Sequence, residues 1–115
     1  MKLDVLQTIG PACMTREDGE RLLARFRPAF ERGEVVELNF NGVRFFLTHF
    51  FNGAISPLLK QHSREELRAR LKLKNISPTG RQIIKDVVDH AERWFSDAAY
   101  RKSVDRVLDL ALQEA

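Results

Sequence analysis

An α/β fold is what this sequence predicts, and three observations predict it. Short runs with period-2 hydrophobic alternation recur along the chain, residues 35–40 (VVELNF) being the clearest. Between them lie longer runs whose apolar residues return every three or four positions, as on one face of a helix. Glycines, prolines and Ser/Thr caps punctuate the joins. At 115 residues the chain suits one domain, since domains most often run to roughly 100–150 residues. That domain is expected over 1–115, as a core at 1–96 followed by a helix at 97–115. Hydrophobic residues make up 43% and charged residues 30%, a globular balance that argues against wholesale disorder.

Residues 3–9 (LDVLQTI) read as a first strand with Leu3 and Val5 on one face, stopped by Gly10-Pro11. Thr15 then opens a helix whose first-turn acids, Glu17 and Asp18, suit the positive end of its dipole. Leu22, Leu23, Phe26 and Phe30 share a face of it. Pro28 should kink the helix or end its regular part, and Gly33 closes it. After residues 35–40 comes Asn41-Gly42, a strong turn dipeptide, then a short extended run at 43–47. From Phe50 to Leu59 the period becomes helical, with Thr48 placed to cap and Pro57 expected to shorten or bend the helix. Ser63 and Glu66 have capping-box spacing and start another short helix.

Residues 71–76 (LKLKNI) alternate and read as a third core strand or an edge strand. Ser77-Pro78 is an N-cap followed by proline at the first helical position, ahead of the stripe Ile83, Ile84, Val87, Val88, Ala91, Trp94 and Phe95. Asp97 can cap a last helix carrying Tyr100, Val104, Val107, Leu108 and Ala111. Its apolar stripe buries on this chain's own sheet or preceding helix, or on a partner or second copy. The order implies a small mixed sheet of about four strands covered by helices.

Several function classes are disfavoured. No apolar run approaches the ~20 residues that span a bilayer, and the N-terminal segment is too short and polar for a signal-peptide core. No membrane association and a cytoplasmic location are expected. Cys13 is the one cysteine, so an internal disulfide is impossible, and it sits in a Gly-Pro-Ala-Cys turn with no marked base. His49, His62 and His90 have no metal-motif spacing, so neither metal nor other cofactor is expected. His90 and Asp86 are four apart, a local surface pair. No Ser-His-Asp order, paired catalytic carboxylates or phosphate-cradling glycine loop appears, so the chain is expected not to be an enzyme. A net charge of +3 and a pI of about 9.4 favour anionic partners weakly, through attraction that salt screens.

The stretch Val35-Val36-Glu37-Leu38-Asn39-Phe40-Asn41-Gly42-Val43, followed by a short strand and Thr48-His49-Phe50-Phe51, resembles the bacterial STAS-like domains of unknown function. Leu71-Lys72-Leu73-Lys74-Asn75-Ile76 is similar to that family's next strand, which also tends to end in Asn. The likeness covers most of residues 1–91. It implies a small STAS-like sheet with helices and a bacterial or bacteriophage origin. By wider analogy with anti-sigma-factor antagonists, it implies a non-catalytic regulatory module whose partner is another protein, a histidine-kinase-like ATPase among the candidates. Three departures stand out. Leu47 replaces the aspartate of the antagonists' Asp-Ser-Ser-Gly-like motif, and His49 stands where their phosphorylatable serine aligns. Asn39 replaces the aspartate of the family's Asp-Phe pair. Only Thr48 keeps a hydroxyl there, so it is the phosphorylation candidate.

The partner-binding candidates are Thr48, His49, Asn41 and Asn75. A helix start suits a phosphate or carboxylate, although Thr48 serves equally as a plain N-cap beside a surface histidine. Phe45 and Phe46 must face opposite sides of a strand. With both sheet faces covered both are core; with one open, the outward one marks an interface, a homodimer included. The most basic stretch holds Lys60, Arg64, Arg68, Arg70, Lys72 and Lys74. It is the second reading, a nucleic-acid contact tracking phosphates, with no recognised nucleic-acid motif beside it. Lys72 and Lys74 serve equally to protect a strand edge from aggregation.

Overall fold

Asp4 sets the end of the first strand. The computed structural model describes residues 1–96 and residue 107, and in it β1 covers Lys2–Asp4. The Asp4 carboxylate accepts from the Gln7 N–H at 3.2 Å, and the Thr8 hydroxyl donates to the Asp4 carbonyl at 2.9 Å. These bonds wind Val5–Thr8 into a short helix, α1. The expected strand over 3–9 is corrected accordingly. Leu3 and Val5 are both buried, as strand alternation also requires, so the pattern of so short a run could not separate the two.

A two-residue strand not anticipated from sequence, β2 (Ala12–Cys13), leads into α2 (Arg16–Glu31). The Thr15 hydroxyl caps α2 by accepting from the Asp18 N–H at 3.1 Å. Helix α2 runs through Pro28 rather than ending before it. The N–H that proline lacks would have served the Ala24 carbonyl, and Ala24 lies on the exposed face where water can replace it. After a turn at Gly33 (φ 86°) come β3 (Val36–Asn39), β4 (Phe45–Phe46) and α3 (Thr48–Ala54). Helix α3 stops short of Pro57, which enters a 3-10 turn over Ser56–Lys60. Helix α4 (Arg64–Arg70) passes directly into β5 (Leu71–Lys74), and α5 (Pro78–Ser96) follows. Ser63 and Ser77 cap α4 and α5 through the Glu66 and Gly80 amides, at 3.2 and 3.1 Å. Apart from Val107, the helix expected over 97–115 lies outside the described residues.

The α/β class holds, with the strands divided between two sheets in place of one mixed sheet. A three-stranded sheet has the order β1-β3-β5, a two-stranded sheet pairs β2 with β4, and every pair is parallel. Register places Leu3, Leu38 and Leu73 side by side across the larger sheet, facing the core. The rows Lys2–Glu37–Lys72 and Asp4–Asn39–Lys74 face the other way. Their four outer members are exposed, so among the described residues helices cover one face only. Parallel sheets are ordinarily covered on both. As an edge strand, β5 presents Lys72 and Lys74 where charge discourages sheet-to-sheet association.

The core is aromatic. Phe26, Phe30, Phe40, Phe50 and Phe51 are all within 1% of full burial, and Phe46 stacks on Phe51 with centroids 5.7 Å apart. Helices α2 and α3 cross closely enough that Gly19 lies against the Phe50 carbonyl and Gly53 against that of Arg16.

Candidate functional site

Parallel strands bring the loops after β1, β3 and β5 to one end of the larger sheet, the usual place for binding groups in open α/β sheets. Asn39 organises that end. Its side-chain oxygen accepts from the Asn41 backbone N–H at 3.0 Å and from the Asn75 side-chain amide at 3.0 Å. Asn75 itself holds φ 57°, a left-handed conformation that asparagine tolerates better than most residues. The sequence candidates Asn41 and Asn75 are thus brought together through a residue picked out only as a departure. Asn39 acts as an acceptor in both bonds, a role a carboxylate fills equally well. The exchange of the family's aspartate for Asn39 therefore leaves this loop arrangement intact.

Gly42 completes the turn at φ 86°. A side chain there would stand 2.6 Å from a methyl of Leu6, so α1 packs against this loop and fixes it.

The second group is built on β2 and β4. Cys13 pairs with Phe46, and both side chains point inward; Cys13 is fully buried. Alternation turns the flanking residues outward, and Met14, Phe45 and Leu47 are 41%, 62% and 42% exposed. Of the two outcomes open for the Phe45–Phe46 pair, Phe46 is the packed residue and Phe45 the exposed one. The Leu47 N–H donates to the Cys13 carbonyl at 3.0 Å, holding Met14 and Leu47 at corresponding positions of the two strands. The result is an apolar outer face at the entrance to α3.

Thr48 and His49 adjoin it, both exposed, on the first turn of α3. Thr48 is not the cap that the sequence suggested. Leu47 occupies the N-cap position with extended backbone, and no side chain caps this seven-residue helix. The chain stays extended through Leu47, which bonds to β2, and turns helical at Thr48, one residue earlier than a Thr48 cap would give.

The basic stretch is divided. Lys60, Arg68, Lys72 and Lys74 are exposed, but Arg64 pairs with Asp89 at 2.6 Å. Arg70 turns the other way: its guanidinium stacks 4.2 Å from the Phe30 ring centroid, donates to the Phe30 carbonyl, and lies 3.5 Å from Glu66. Beside it His62 bridges two helices, with Nδ1 2.7 Å from Glu66 and Nε2 3.2 Å from Glu31. The Glu66 hydrogen bond foremost, against some desolvation, raises the His62 pKa, and the same bond lowers that of Glu66. Burial, with a smaller push from Asp18, drives the Cys13 thiol up to about 12. It is protonated and shielded at neutral pH.

Among the described residues no group of three or more His, Cys, Asp or Glu is arranged to hold a metal ion. No helix among them is long and apolar enough to cross a membrane.

Among the described residues these features define a small α/β fold with one sheet face open and an outward apolar face beside a helix start. The chain belongs to the STAS-like domains of unknown function (DUF4325), whose family model matches residues 18–81. No curated protein and no solved structure matches the chain. The matched stretch runs from the first turn of α2 into the first turn of α5. It contains Asn39, Asn41, Phe45, Thr48, His49 and Asn75, together with the whole basic stretch.

Proposed function

We propose that this chain is a non-catalytic regulatory module, one domain over 1–115, that works by docking another protein on the face formed by Met14, Phe45 and Leu47. The observation that carries the reading is Phe45, a large aromatic 62% exposed beside a strand neighbour, Phe46, that packs on the core. Aromatic anchors ringed by polar groups are what protein interfaces select. Thr48 and His49 border the face and supply its polar rim, and Asn41 and Asn75 hold the neighbouring loops. The wider resemblance to anti-sigma-factor antagonists makes a histidine-kinase-like ATPase of a bacterial or bacteriophage cytoplasm the first partner to try. Thr48, exposed at the rim, is where phosphorylation would control docking. Charge placed there next to an apolar interface weakens it by desolvation.

The competing reading, nucleic-acid binding through residues 60–74, is less favoured by the arrangement. Arg70 is turned onto Phe30 and Arg64 is neutralised by Asp89, which leaves fewer cations for phosphates. Capture from nuclease-treated lysate of the native host tests both. The reading expects a discrete protein retained by the unmodified chain and lost with Phe45→Ser plus Leu47→Ser or with Thr48→Asp, while Arg68→Ala plus Lys74→Ala retains it. Capture that depends on nucleic acid and on Arg68 and Lys74 sinks it.

A further inference from the structure

Two segments carry the same eight-residue pattern. Arg64, Leu67, Arg68 and Leu71 repeat as Arg81, Ile84, Lys85 and Val88: cation, apolar, cation, apolar at spacings of three, one and three. Leu71 opens β5, and on α4 and α5 the other members of each set share one face, an apolar stripe flanked by positive charge. The two faces look onto a common groove of about 380 Å³ between α4, β5 and α5. Leu67, Leu71, Ile84 and Val88 form its floor and are nearly buried, while Arg64, Arg68, Lys72, Arg81 and Lys85 surround it. Among the described residues every charged residue lining the groove is a cation.

We infer that this groove binds a single-chain amphiphilic carboxylate of the fatty-acid type, with the alkyl chain on the floor and the head group among Arg68, Lys72 and Arg81. Charge complementarity selects the head. Arg64 is already paired with Asp89, and Lys85 lies 3.8 Å from the same carboxylate. Arg68, Lys72 and Arg81 form no ion pair among the described residues, although Lys72 donates one hydrogen bond to the Arg68 carbonyl at 3.0 Å. An anion placed between them gains charge-assisted hydrogen bonds. The floor selects the tail, because an alkyl chain covers what apolar surface the floor still exposes and inorganic phosphate does not. Size separates a small ligand from a protein. Small-molecule sites run from about 300 Å³ upward, whereas a stable protein interface covers about 800 Å² on each partner. The groove is distinct from the face around Phe45 and does not depend on the docking role proposed for it.

The test is titration of the full chain with monomeric dodecanoate, followed by amide chemical shifts and calorimetry. Dodecanol, dodecyltrimethylammonium, decanoate, inorganic phosphate, an acidic amphipathic peptide and phosphatidylglycerol vesicles serve as comparators. The expected result is saturable dodecanoate binding with shifts centred on α4, β5 and the first half of α5. Decanoate, two methylenes shorter, should bind roughly tenfold more weakly. Arg68→Glu with Arg81→Glu, both at exposed positions that leave the core untouched, should weaken dodecanoate by about tenfold or more. The pair should also erase its advantage over dodecanol. The inference is overturned if dodecanoate does not bind, if dodecanol or the cationic amphiphile binds as well, or if the double variant binds normally. Binding of the peptide, the vesicles or phosphate alone in its place overturns it too.

Discussion

Gly19 of α2 and Gly53 of α3 lie at the crossing of their two helices, each against the other helix's backbone. A methyl group on Gly19 would run into the Phe50 carbonyl and stand 2.9 Å from the Ala54 nitrogen. One on Gly53 would meet the Arg16 carbonyl and lie 3.0 Å from the Glu20 nitrogen. Backbone cannot step aside as a flexible side chain can, so the crossing is possible only with glycine at both positions. Through it α2 fixes α3, and with α3 the setting of Leu47, Thr48 and His49.

Gly19→Ala and Gly53→Ala should therefore each destabilise the fold by about 2 kcal/mol or more, the upper part of the range for overpacking. Gly33→Ala is the comparison. Its φ of 86° is unfavourable for alanine but nothing lies within 4 Å of the added carbon, so only backbone strain of about 1 kcal/mol is expected. Urea unfolding followed by circular dichroism measures all three. Equal losses at Gly19 and Gly33 would contradict the close crossing.

Asn39 should tolerate aspartate and not alanine. Asn39→Asp keeps an acceptor for both the Asn41 amide and the Asn75 side chain. Asn39→Ala removes both bonds and should cost about 1–2 kcal/mol. Amide shifts of Asn41 and Asn75 report directly, and large movement in the aspartate variant would show that the acceptor role is not what matters.

His62 gives stability a pH dependence whose sign follows from its raised pKa. A charge favoured in the folded state contributes fully below the unfolded value of about 6.5 and is lost as pH rises through the folded value. Glu66 runs the other way, since its lowered pKa gives a contribution present above the ordinary carboxylate value and lost as pH falls through the folded one. The groups facing His62 are Glu31, Glu66 and the ring of Phe30, with Arg27 paired to Glu31 and Arg70 to Glu66. Replacement by His62→Gln should cost most in mildly acidic solution and least at about pH 9. Urea midpoints measured across pH test this, and a difference that grows toward alkaline pH would contradict it.

Cys13 should resist thiol reagents in the native protein. It is fully buried, and its pKa of about 12 leaves almost no thiolate at neutral pH. Modification by an aromatic disulfide reagent should appear only as denaturant unfolds the chain, which makes Cys13 a probe of opening of the β2–β4 sheet. Rapid native labelling would mean that this sheet opens readily.

What could be read from sequence was mostly local. Thr15, Ser63 and Ser77 cap the helices they were expected to cap, because capping needs only a hydroxyl three residues from an unpaired amide. The parity of Phe45 and Phe46 was legible too, but not which of them faces out, since pairing with β2 decides that and β2 is two residues long. Which side chains face away from the core on the sheet was hidden because it depends on register among β1, β3 and β5, strands separated by more than thirty residues. The basic stretch looked continuous, yet Arg70 reaches across to Phe30, forty positions away. Arg81 and Lys85 lie outside that stretch, and their signal is that they repeat the spacing of Arg64 and Arg68.

The docking role of the face around Phe45 is tested most directly by placing a photo-crosslinking amino acid at position 45 in the native host. A second copy of the experiment carries it at Arg32, exposed at the far end of α2. Irradiation should give one discrete adduct with a different protein from position 45 and none from position 32, and Thr48→Asp should diminish it. No adduct at position 45, or the same adducts from both positions, would contradict a docking role for this face.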